Sequence, residues 1–485
     1  MPVNFVRRDL SAKFSQWSMI RDCLSGEEAV KAASTTYLPM PGSDRSEVDR
    51  ARYRQYLQRA VFYSVVRRTL AGLSGQIFLR RPTISVGEDL APYLDNINGS
   101  GVSLVQQSKK ALDFVVSYGR CGLLVDYPAV DGVITRQDEI NGYVYPTILL
   151  YDPFSVINWR ERTVGSKRIL SLVVIEESYC IEDDGFELST DTQWRVLRLD
   201  DQQNCWSDVW RWDNDDLNTR QLVLTASHAV IDADGNPLHE IPFTFIGSIN
   251  NDANIDYSPL ADLAALNIAH YRNSADYEES CYIAGQPTLY AAGLDQNWVD
   301  NVLHGSIALG SRSGLLLPNG ATCGLIQAQA NSQPFEAMEH KERQMAALGA
   351  KLIEQRQVQR TLGEAQIEEA GEVAALTIMA HNVSEAYEAA LGMCTLFTGG
   401  SREDVEFNLC TDYPALQLSA NDRVELVKEW QSGAISYTEL RNQLRRIGVA
   451  TQDDEAAKDE IASSQVGPIL DAPSPISGGT PTLGV

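Results

Sequence analysis

The residues that could carry chemistry in this chain of 485 amino acids are few and widely scattered. None of its six histidines belongs to an HExxH motif or to a pair with the spacing of zinc ligands. The sequence also lacks the GxxxxGK[ST] motif of phosphate-binding loops and the GxSxG motif of nucleophilic serines. His270 and His381 each lie within a predicted helix without a partner at ligand spacing, so both are interpreted as structural. We therefore expect no catalytic residue, no cofactor site and no metal site, and a protein that is not an enzyme.

One short acidic segment superficially resembles a calcium loop. Asp232, Asp234 and Gly235 occur in the order Asp-Ala-Asp-Gly. The glycine comes two positions too early for an EF-hand, and the glutamate that completes such a loop is missing. Because strand-like sequences flank it at 221–231 and 241–247, the segment is predicted to be the turn of a β-hairpin.

Two polar segments are candidates for contact with nucleic acid. The first carries Gln355, Arg356, Gln357, Gln359 and Arg360. It is too polar for a protein core, and arginine has a fixed, delocalised charge that suits phosphate groups. The alternative is the exposed end of an ordinary helix.

The second polar segment is acidic. Glu364, Glu368 and Glu372 recur at a spacing of four, which places them on one face of a helix. No lysine follows at that spacing, so the like charges weaken the helix slightly. This face is interpreted either as a solvated surface or as an acidic stripe along a channel.

Two short helices are predicted near the C-terminus, at 420–432 and 437–447. The sequence from Ser436 to Glu439 is a capping box for the second helix. Its basic residues are Arg441, Arg445 and Arg446, and its apolar stripe is Leu440, Leu444 and Ile447. A helical hairpin is favoured, and a DNA-reading helix-turn-helix is the alternative.

Composition narrows the function class further. The chain is 44% hydrophobic with a formal charge of −25, which argues against a surface that wraps DNA. Nucleic acid would instead need a passage to move through or a small basic patch.

Eight scattered cysteines without a CxxC pair indicate free thiols in a reducing compartment. No run approaches the roughly 18 apolar residues that span a bilayer, and the N-terminus lacks a secretory signal, so we expect a cytoplasmic protein of two to four domains.

Two helices are predicted before the β-rich part of the chain. A helix is predicted from Ser46 to about Ile77 on the basis of apolar residues at helical spacing. Between residues 45 and 81 there are nine arginines and two acids, so this segment is strongly basic. Another helix is predicted over 102–117.

A β-rich block follows the helices. Residues 143–246 are rich in β-branched and aromatic residues separated by Asp, Gly and Asn turns, which is typical of strands. Within them, segment 176–216 holds thirteen acids and three arginines. The sequence therefore predicts an α+β protein with a basic helix and an acidic β-rich region.

A long helix is predicted at 258–284, with both ends marked. Ser258 is placed to cap it and Pro259 fits its first turn, whereas Gly285 and Pro287 stop it. Its first half is apolar nearly all round, and its second half is polar with spaced tyrosines. It is interpreted either as a buried enzyme-core helix that emerges at the surface or as a spoke in a multi-subunit assembly.

Further helices are predicted after a glycine-rich stretch. They cover 334–358 and 364–397. The C-terminal tail, from about residue 466, is rich in Pro, Gly and Ser and is predicted to be disordered.

Several segments within residues 35–450 are similar, in the same order, to segments of one viral family. They are YLPMP at Tyr37–Pro41, RAVFYSVVRRTLAGLSGQIF, YGRCGLLVDYP, YDPFSVINWR, and PLADLAALNIAHYRNSADYEE followed by GQPTL. The chain thereby resembles tailed-bacteriophage portal proteins, the head-to-tail connectors, and particularly a subgroup formerly catalogued as phage proteins of unknown function.

This resemblance implies a portal-like α+β fold that assembles as a ring, usually a dodecamer, around a DNA channel. Such a fold has a β-containing wing, long stem helices, a small clip and a helical crown. By position, the implied parts are an N-terminal arm at 1–39, the wing at 40–257, the first stem helix at 258–284, the clip at 285–330, the second stem helix at 331–355, the tunnel loop and long wing helix at 356–398, the crown at 399–465 and the tail at 466–485.

The resemblance also implies roles for particular residues. Those implied for packing between subunits of the stem are Leu260, Leu263, Leu266, Ile268 and Tyr271. Those implied for the DNA channel, as tunnel loop and acidic stripe, are Gln355, Arg356, Gln357, Gln359, Arg360, Glu364, Glu368 and Glu372. Those implied for electrostatic pairing with the acidic block of an adjacent wing are Arg50, Arg54 and Arg59.

The implied function is passage of double-stranded DNA, without sequence reading, at one capsid vertex of the virion during packaging and ejection. The implied partners are further copies of the chain, the terminase large subunit, the head-tail adaptor, and the major capsid and scaffolding proteins, with no membrane. A DNA-binding regulator that uses helices 420–447 and a metabolic enzyme with a non-standard site remain as alternatives.

Overall fold

The computed structural model describes residues 2–41, 46–128, 144–213, 221–286, 288–298, 300, 317, 319–327, 332–349, 362–411, 420–432 and 435–446, and it describes 362–374 and 420–425 by backbone alone. The chain divides into two compact units, Met1–Cys410 and Thr411–Val485. Both helices and strands are present, so the α+β class is confirmed. Within the described residues, no helix is both long and apolar enough to cross a membrane.

The described part of the first unit contains ten α-helices and twelve strands. The helices are α1 Arg8–Ser11, α2 Phe14–Ser25, α3 Glu27–Ala32, α4 Glu47–Arg59, α5 Val65–Ile77, α6 Leu104–Tyr118, α7 Ala261–Ala284, α8 Gln296–Trp298, α9 Gln333–Ala347 and α10 Leu362–Thr398. The strands are β1 Thr83–Ser85, β2 Arg120–Asp126, β3 Thr147–Tyr151, β4 Val156–Val164, β5 Lys167–Asp183, β6 Leu188–Leu199, β7 Cys205–Trp212, β8 Leu222–Ala229, β9 Phe243–Gly247, β10 Thr288–Ala292, β11 Thr322–Ile326 and β12 Glu406–Asn408.

Most strands belong to two antiparallel sheets. One has the order β3-β2-β9, and the other is a five-stranded meander in the order β4-β5-β6-β7-β8. In the meander, β5 and β6 are longer than their neighbours: β4 reaches β5 only as far as Ile175, and β7 meets β6 from Gln193 onward. The two central strands therefore continue past the sheet as a two-stranded ribbon.

A tight junction joins α6 to β2. Ser103 accepts the backbone N–H of Gln106, whose side chain accepts that of Ser103 in return, so the capping box starts α6. Gly119 ends α6 in the left-handed conformation, with φ at 80°. A Cβ atom at residue 119 would lie 2.1 Å from the carbonyl oxygen of Tyr257. This junction therefore requires glycine for its conformation and for its space.

The second half of α10 passes through the core against α6 and the β3-β2-β9 sheet. Tyr387 is fully buried, and its hydroxyl donates to Oε1 of Gln107 over 3.1 Å. Asn382 donates to the carbonyl oxygen of Gly247 over 2.9 Å. These buried hydrogen bonds fix the rotation of α10 relative to both elements.

The predicted helix from Ser46 to Ile77 is two helices, so the single-helix prediction is wrong. Ser46 does cap α4, accepting the backbone N–H of Asp49 over 3.1 Å. The chain leaves the helical path at residues 60–64 before α5 begins. The N–H of Val61 donates to the hydroxyl of Ser274, which donates back to the carbonyl oxygen of Val61. This contact with a distant helix replaces the helical hydrogen bonds at the break.

The long predicted helix is present as α7, but its start differs from the prediction. Leu260 precedes the first turn without a side-chain cap. The hydroxyl of Ser258 instead donates to the carbonyl oxygen of Tyr118 over 2.8 Å and accepts the indole N–H of Trp17 over 3.0 Å. Ser258 therefore joins α2 and α6 to the segment before α7, and the capping prediction is wrong.

Two other predicted boundaries need correction. Asp232 closes the predicted turn by accepting the N–H groups of Asp234 and Asn236, and a bridge joins Ile231 to Pro237. However, β8 pairs with β7 and β9 pairs with β2, so the flanking strands are not a hairpin. The helix predicted to reach about residue 358 ends at Ala347.

The second unit contains two described helices, α11 Ala420–Gln431 and α12 Tyr437–Arg446. The predicted capping box is confirmed, because the N–H of Ser436 donates to Glu439 and that of Glu439 donates to Ser436. Leu440 is buried, and the rings of Trp430 and Tyr437 lie 6.0 Å apart across the connection. These contacts make the pair a helical hairpin.

Candidate functional site: an antiparallel helix pair

Helices α7 and α9 run antiparallel, with the β10–β11 pair at their far end. The contacts between them join residues early in one helix to residues late in the other. They are Nε2 of His270 with Oε1 of Glu342 at 3.2 Å, Nζ of Lys341 with Oδ1 of Asn273 at 3.1 Å, and the rings of Tyr277 and Phe335 at 5.7 Å. The chain therefore leaves the core along α7 and returns along α9.

The β10–β11 pair continues this arrangement beyond the helices. Its strands are antiparallel over five residue pairs, from Thr288 with Ile326 to Ala292 with Thr322. Just beyond β11, the side chain of Gln327 donates to the carbonyl oxygen of Ala284 at the end of α7 over 2.9 Å. The described part of the site is thus a helix, a small sheet and a returning helix.

The polar half of α7 is held against α4 by charged and hydroxyl groups. Arg59 pairs with Glu279, and its guanidinium lies 4.1 Å from the ring centroid of Tyr282. The hydroxyl of Tyr56 donates to Asp276 over 2.6 Å. Burial raises the pKa of Tyr56, and the Asp276 carboxylate raises it further, so Tyr56 remains a proton donor. Asp276 and Glu279, near the end of α7, therefore have their partners within the same chain.

Backbone carbonyl groups of the preceding segments hold the middle of α7. Asn267 donates to the carbonyl oxygen of Tyr63 over 2.8 Å, and Arg272 donates to that of Tyr37 over 2.6 Å. Ser274 bonds in both directions to Val61, as described above. Because these contacts pair side chains of α7 with backbone atoms of other segments, they prevent α7 from sliding along its axis and from rotating around it.

His270 is the buried titratable group at the contact of the two helices. Because a carboxylate only accepts, Nε2 of His270 donates to Glu342. Burial lowers the pKa of His270, and the hydrogen bond to Glu342 opposes that effect. Its Nδ1 atom is buried without a hydrogen-bond partner among the described residues. The group therefore fits a structural histidine, as expected from its place in the helix.

Residues assigned by resemblance to subunit packing are mostly inside the single chain. Leu260, Leu263, Ile268 and Tyr271 are each no more than 3% exposed, whereas Leu266 is partly exposed. Packing within one chain already accounts for the burial of the first four. A neighbouring subunit would meet the exposed positions of α7, such as Ala265.

The three arginines assigned to contacts between wings differ in their surroundings. Arg59 is half-buried and paired with Glu279 of its own chain, so an adjacent wing would compete with that pair. Arg50 and Arg54 are exposed on α4, and each lies within 4.0 Å of Glu47. Exposed pairs of this kind contribute little to stability. Pairing of Arg50 and Arg54 with an adjacent wing therefore stays a prediction.

The residues assigned to the DNA channel lie at the edge of what the structure describes. Gln355, Arg356, Gln357, Gln359 and Arg360 fall outside the described residues. The acidic residues Glu364, Glu368 and Glu372 belong to the first part of α10, as the helix prediction required, but their side chains lie outside the described part. The channel role of both groups stays a prediction.

Sequence reasoning missed a buried cation at the base of the β sheets. The guanidinium of Arg120 lies 3.9 Å from the ring centroid of Trp159 and 3.8 Å from that of Phe245. It also donates to the carbonyl oxygens of Ala253 and Asn254, and burial lowers its pKa to about 9. An arginine directly before an apolar strand was the available signal. Because these partners belong to the fold, Arg120 orients the segment that leads into α7.

The described part of the chain shows little that would suggest a catalytic site. No cluster of three His, Cys, Asp or Glu residues there could hold a metal ion. A cavity of about 540 Å³ lies between α2, α5 and α6. Arg67 and Asp113 line it, but Arg67 donates to backbone oxygens of Leu24 and Ser25 and Asp113 accepts from Ser74. Its main charges are therefore already used in packing.

One family model matches this site. Residues 259–398 match the model described as a domain of unknown function, DUF4055. The matched segment contains α7, both strands of the small sheet, α9 and α10. No curated protein sequence matches this chain.

Three solved structures that are similar to this chain come from gene transfer agent (GTA) particles. One, from the neck of an empty GTA particle computed with C6 symmetry, is 13% identical, with 80% of this chain and 91% of that chain covered and a TM-score of 0.40. A second, from the virion of the native GTA particle, is 12% identical, with coverages of 87% and 99% and a TM-score of 0.42. A third, from the neck of the native particle computed with C12 symmetry, is 12% identical, with coverages of 78% and 89% and a TM-score of 0.38.

Proposed function

We propose that this chain is a portal protein: copies of it form a ring at one capsid vertex, through which double-stranded DNA is packaged and ejected. The observation that carries the proposal is the order of elements in the site. Helix α7 leaves the core, β10 and β11 pair beyond it, α9 returns antiparallel to α7, and α10 passes back through the core. The resemblance to portals implies the same order of stem, clip, stem and long wing helix.

The proposed role of the protein is structural. The terminase motor would supply the energy for packaging, and this chain would dock the terminase first and the head-tail adaptor later. An overall charge of −25 disfavours adhesion of DNA to most of the surface. Gln355–Arg360 would touch the DNA backbone without reading bases, and Glu364, Glu368 and Glu372 would form acidic rings that keep the DNA from sticking.

Particle mass tests the proposal most directly. Native mass spectrometry and negative-stain imaging of the purified full chain should show a closed ring with an axial hole, near a dodecamer. A sequence-specific DNA-binding regulator would be a monomer or dimer, and a metabolic enzyme would act without a ring. A chain that stays monomeric both alone and with its capsid and scaffolding proteins would contradict the portal proposal.

A second experiment separates the role of the channel residues in DNA packaging from the assembly of the ring. Arg356→Glu with Arg360→Glu should slow DNA packaging while leaving the ring mass unchanged. The matched control is Arg160→Glu, an exposed arginine on β4 far along the chain from the channel segment. Equal packaging by the double variant and the wild type would remove the channel role of these arginines.

A further inference from the structure

The ribbon formed by β5 and β6 ends in an exposed tip with an unusual composition. Every residue from Ile181 to Thr190 is exposed. The tip carries four acids and no basic residue. Its apolar side chains Ile181, Phe186 and Leu188 are all at least half exposed, and Phe186 is fully so. Large exposed apolar residues grouped with charge are typical of a surface that contacts another macromolecule.

The tip is held in one conformation before any partner arrives. The carboxylate of Asp184 accepts the backbone N–H groups of Phe186 and Glu187 over 2.8 and 2.6 Å, which closes the turn. These hydrogen bonds lower the pKa of Asp184, so it stays ionised. Since the turn is already ordered, presenting Phe186 to a partner costs little conformational entropy.

The base of the ribbon is also fixed. The guanidinium of Arg195 lies 2.7 Å from Asp126 and 3.0 Å from Glu177, and that of Arg211 lies 4.0 Å from the ring centroid of Tyr179. Arg195 and Glu177 are mostly buried, and the pairing of Arg195 with Asp126 ties the base of the ribbon to β2. The ribbon is therefore a rigid projection whose tip exposes apolar and acidic side chains.

The same chain carries a surface with the opposite charge. Arg50, Arg52 and Arg54 are exposed on α4, beside Val48, which is 76% exposed. The side chains of Arg52 and Arg54 are 62% and 66% exposed, and they lie 3.7 Å from Glu279 and 3.3 Å from Glu47. The Arg54–Glu47 pair is exposed on both sides, and such pairs contribute little to stability. Because Phe186 is fully exposed, the tip does not contact this surface within one chain.

We propose that the tip of the β5–β6 ribbon docks onto the arginine surface of α4 in a second copy of the chain. Phe186 packs against the apolar edge at Val48, and Glu182 and Glu187 face the arginines. The two surfaces are complementary but not identical, so the contact is head-to-tail, and such contacts close into rings when the rotation permits. This inference rests on the proposed ring and names the contact that would set its register.

Charge exchange tests this contact. One variant carries Glu182→Lys and Glu187→Lys, a second carries Arg50→Glu and Arg54→Glu, and a third combines all four; Asp184 is kept because it closes the turn. Native mass spectrometry at low salt should show each pair converting rings to monomers and the combination restoring rings. High salt should weaken the effect of the charge pairs but not that of Phe186→Ser, which should lose rings at both salt concentrations.

Asp201→Lys is the matched control, since Asp201 is an equally exposed acid in the turn at the opposite end of β6. It should assemble as the wild type does, and circular dichroism should show every variant folded. Rings of wild-type mass from the Phe186→Ser and acid-reversal variants would overturn the docking inference and leave the ring proposal intact. A combined variant that is folded but monomeric would show that the tip does not face α4. A wild-type chain that forms no ring would overturn both proposals.

Discussion

His270 on α7 and Glu342 on α9 are joined across the helix pair, with Nε2 of the histidine 3.2 Å from Oε1 of the glutamate. Burial holds the pKa of His270 below its usual value of 6.5, so the unfolded chain binds the proton first as the pH falls. The stability from the neutral histidine is present above a pH of about 6.5 and is lost as the pH falls below it. We expect His270→Gln to flatten this dependence, by up to about 1.4 kcal/mol per pH unit.

Urea denaturation at several pH values, followed by tryptophan fluorescence, measures that slope. The exposed His381, which lies 3.3 Å from Glu385, supplies the control. Identical slopes for the wild type and His270→Gln would mean that His270 does not titrate with folding in this range.

The ion pair of Arg59 and Glu279 should couple α4 to α7 measurably. Both side chains are less than a quarter exposed, so removing one leaves the other charge poorly solvated. We expect a coupling of about 1–3 kcal/mol in a double-mutant cycle of Arg59→Met and Glu279→Gln. The exposed pair Arg54–Glu47 should give less than about 1 kcal/mol in the same cycle. Equal coupling energies in the two cycles would contradict the expectation that the Arg59–Glu279 pair is stronger than an exposed pair.

Leu263 and Ala265 lie two positions apart on α7 but should respond to substitution in different ways. Leu263 is 1% exposed, so Leu263→Ala should lower the free energy of unfolding by about 2–5 kcal/mol. Ala265 is exposed, and Ala265→Glu should change the free energy of unfolding by less than about 0.5 kcal/mol. If α7 also packs between subunits, Ala265→Glu should reduce ring formation while the monomer stays folded. Denaturation curves and particle mass report these two effects separately.

Gly119 should tolerate no side chain. Its φ of 80° disfavours any L-residue, and the carbonyl of Tyr257 occupies the place of a Cβ atom. Gly119→Ala should cost more than about 3 kcal/mol, because strain and a backbone clash act together. Gly165 has a φ of 64° with nothing within 4 Å, so Gly165→Ala should cost about 1–2 kcal/mol. Thermal unfolding of the two variants distinguishes the clash from the conformational cost alone.

Local patterns in the sequence predicted most elements but not the contacts that interrupt them. The β-branched and aromatic residues of 143–246 predicted the strands, the apolar spacing after Ser46 predicted a helix there, and the capping box at Ser436 predicted a second helix start. The break at residues 60–64 was not predictable, because the apolar spacing continues through it. It exists because Val61 bonds to Ser274, more than two hundred residues later. Ser258 is a similar case, since its hydroxyl serves α2 and α6 instead of capping α7.

The candidate site was predicted in outline and less well in its details. Both helices of the pair were expected, α7 from the residues that mark its two ends, although α9 is shorter than predicted. The apolar half of α7, which includes Leu263 and Ile268, was expected to pack against its own chain and a neighbouring subunit together, because an apolar helix face alone does not reveal how its contacts divide between the two. The Arg59–Glu279 pair was missed for a similar reason, since ion pairs across 220 residues leave no local pattern.

The attachment of α7 has a mechanical consequence. From Asn267 to Glu279, the helix is bonded on successive turns to the segments at Tyr37, at residues 56–59 and at 61–63. A force along its axis would have to break several of these bonds at once, so α7 should behave as a stiff strut that moves only together with α2, α4 and α5. Elastic deformation of the helix pair would then be concentrated in α9 and in the two-stranded β10–β11 sheet, where the described residues supply fewer bonds that oppose it.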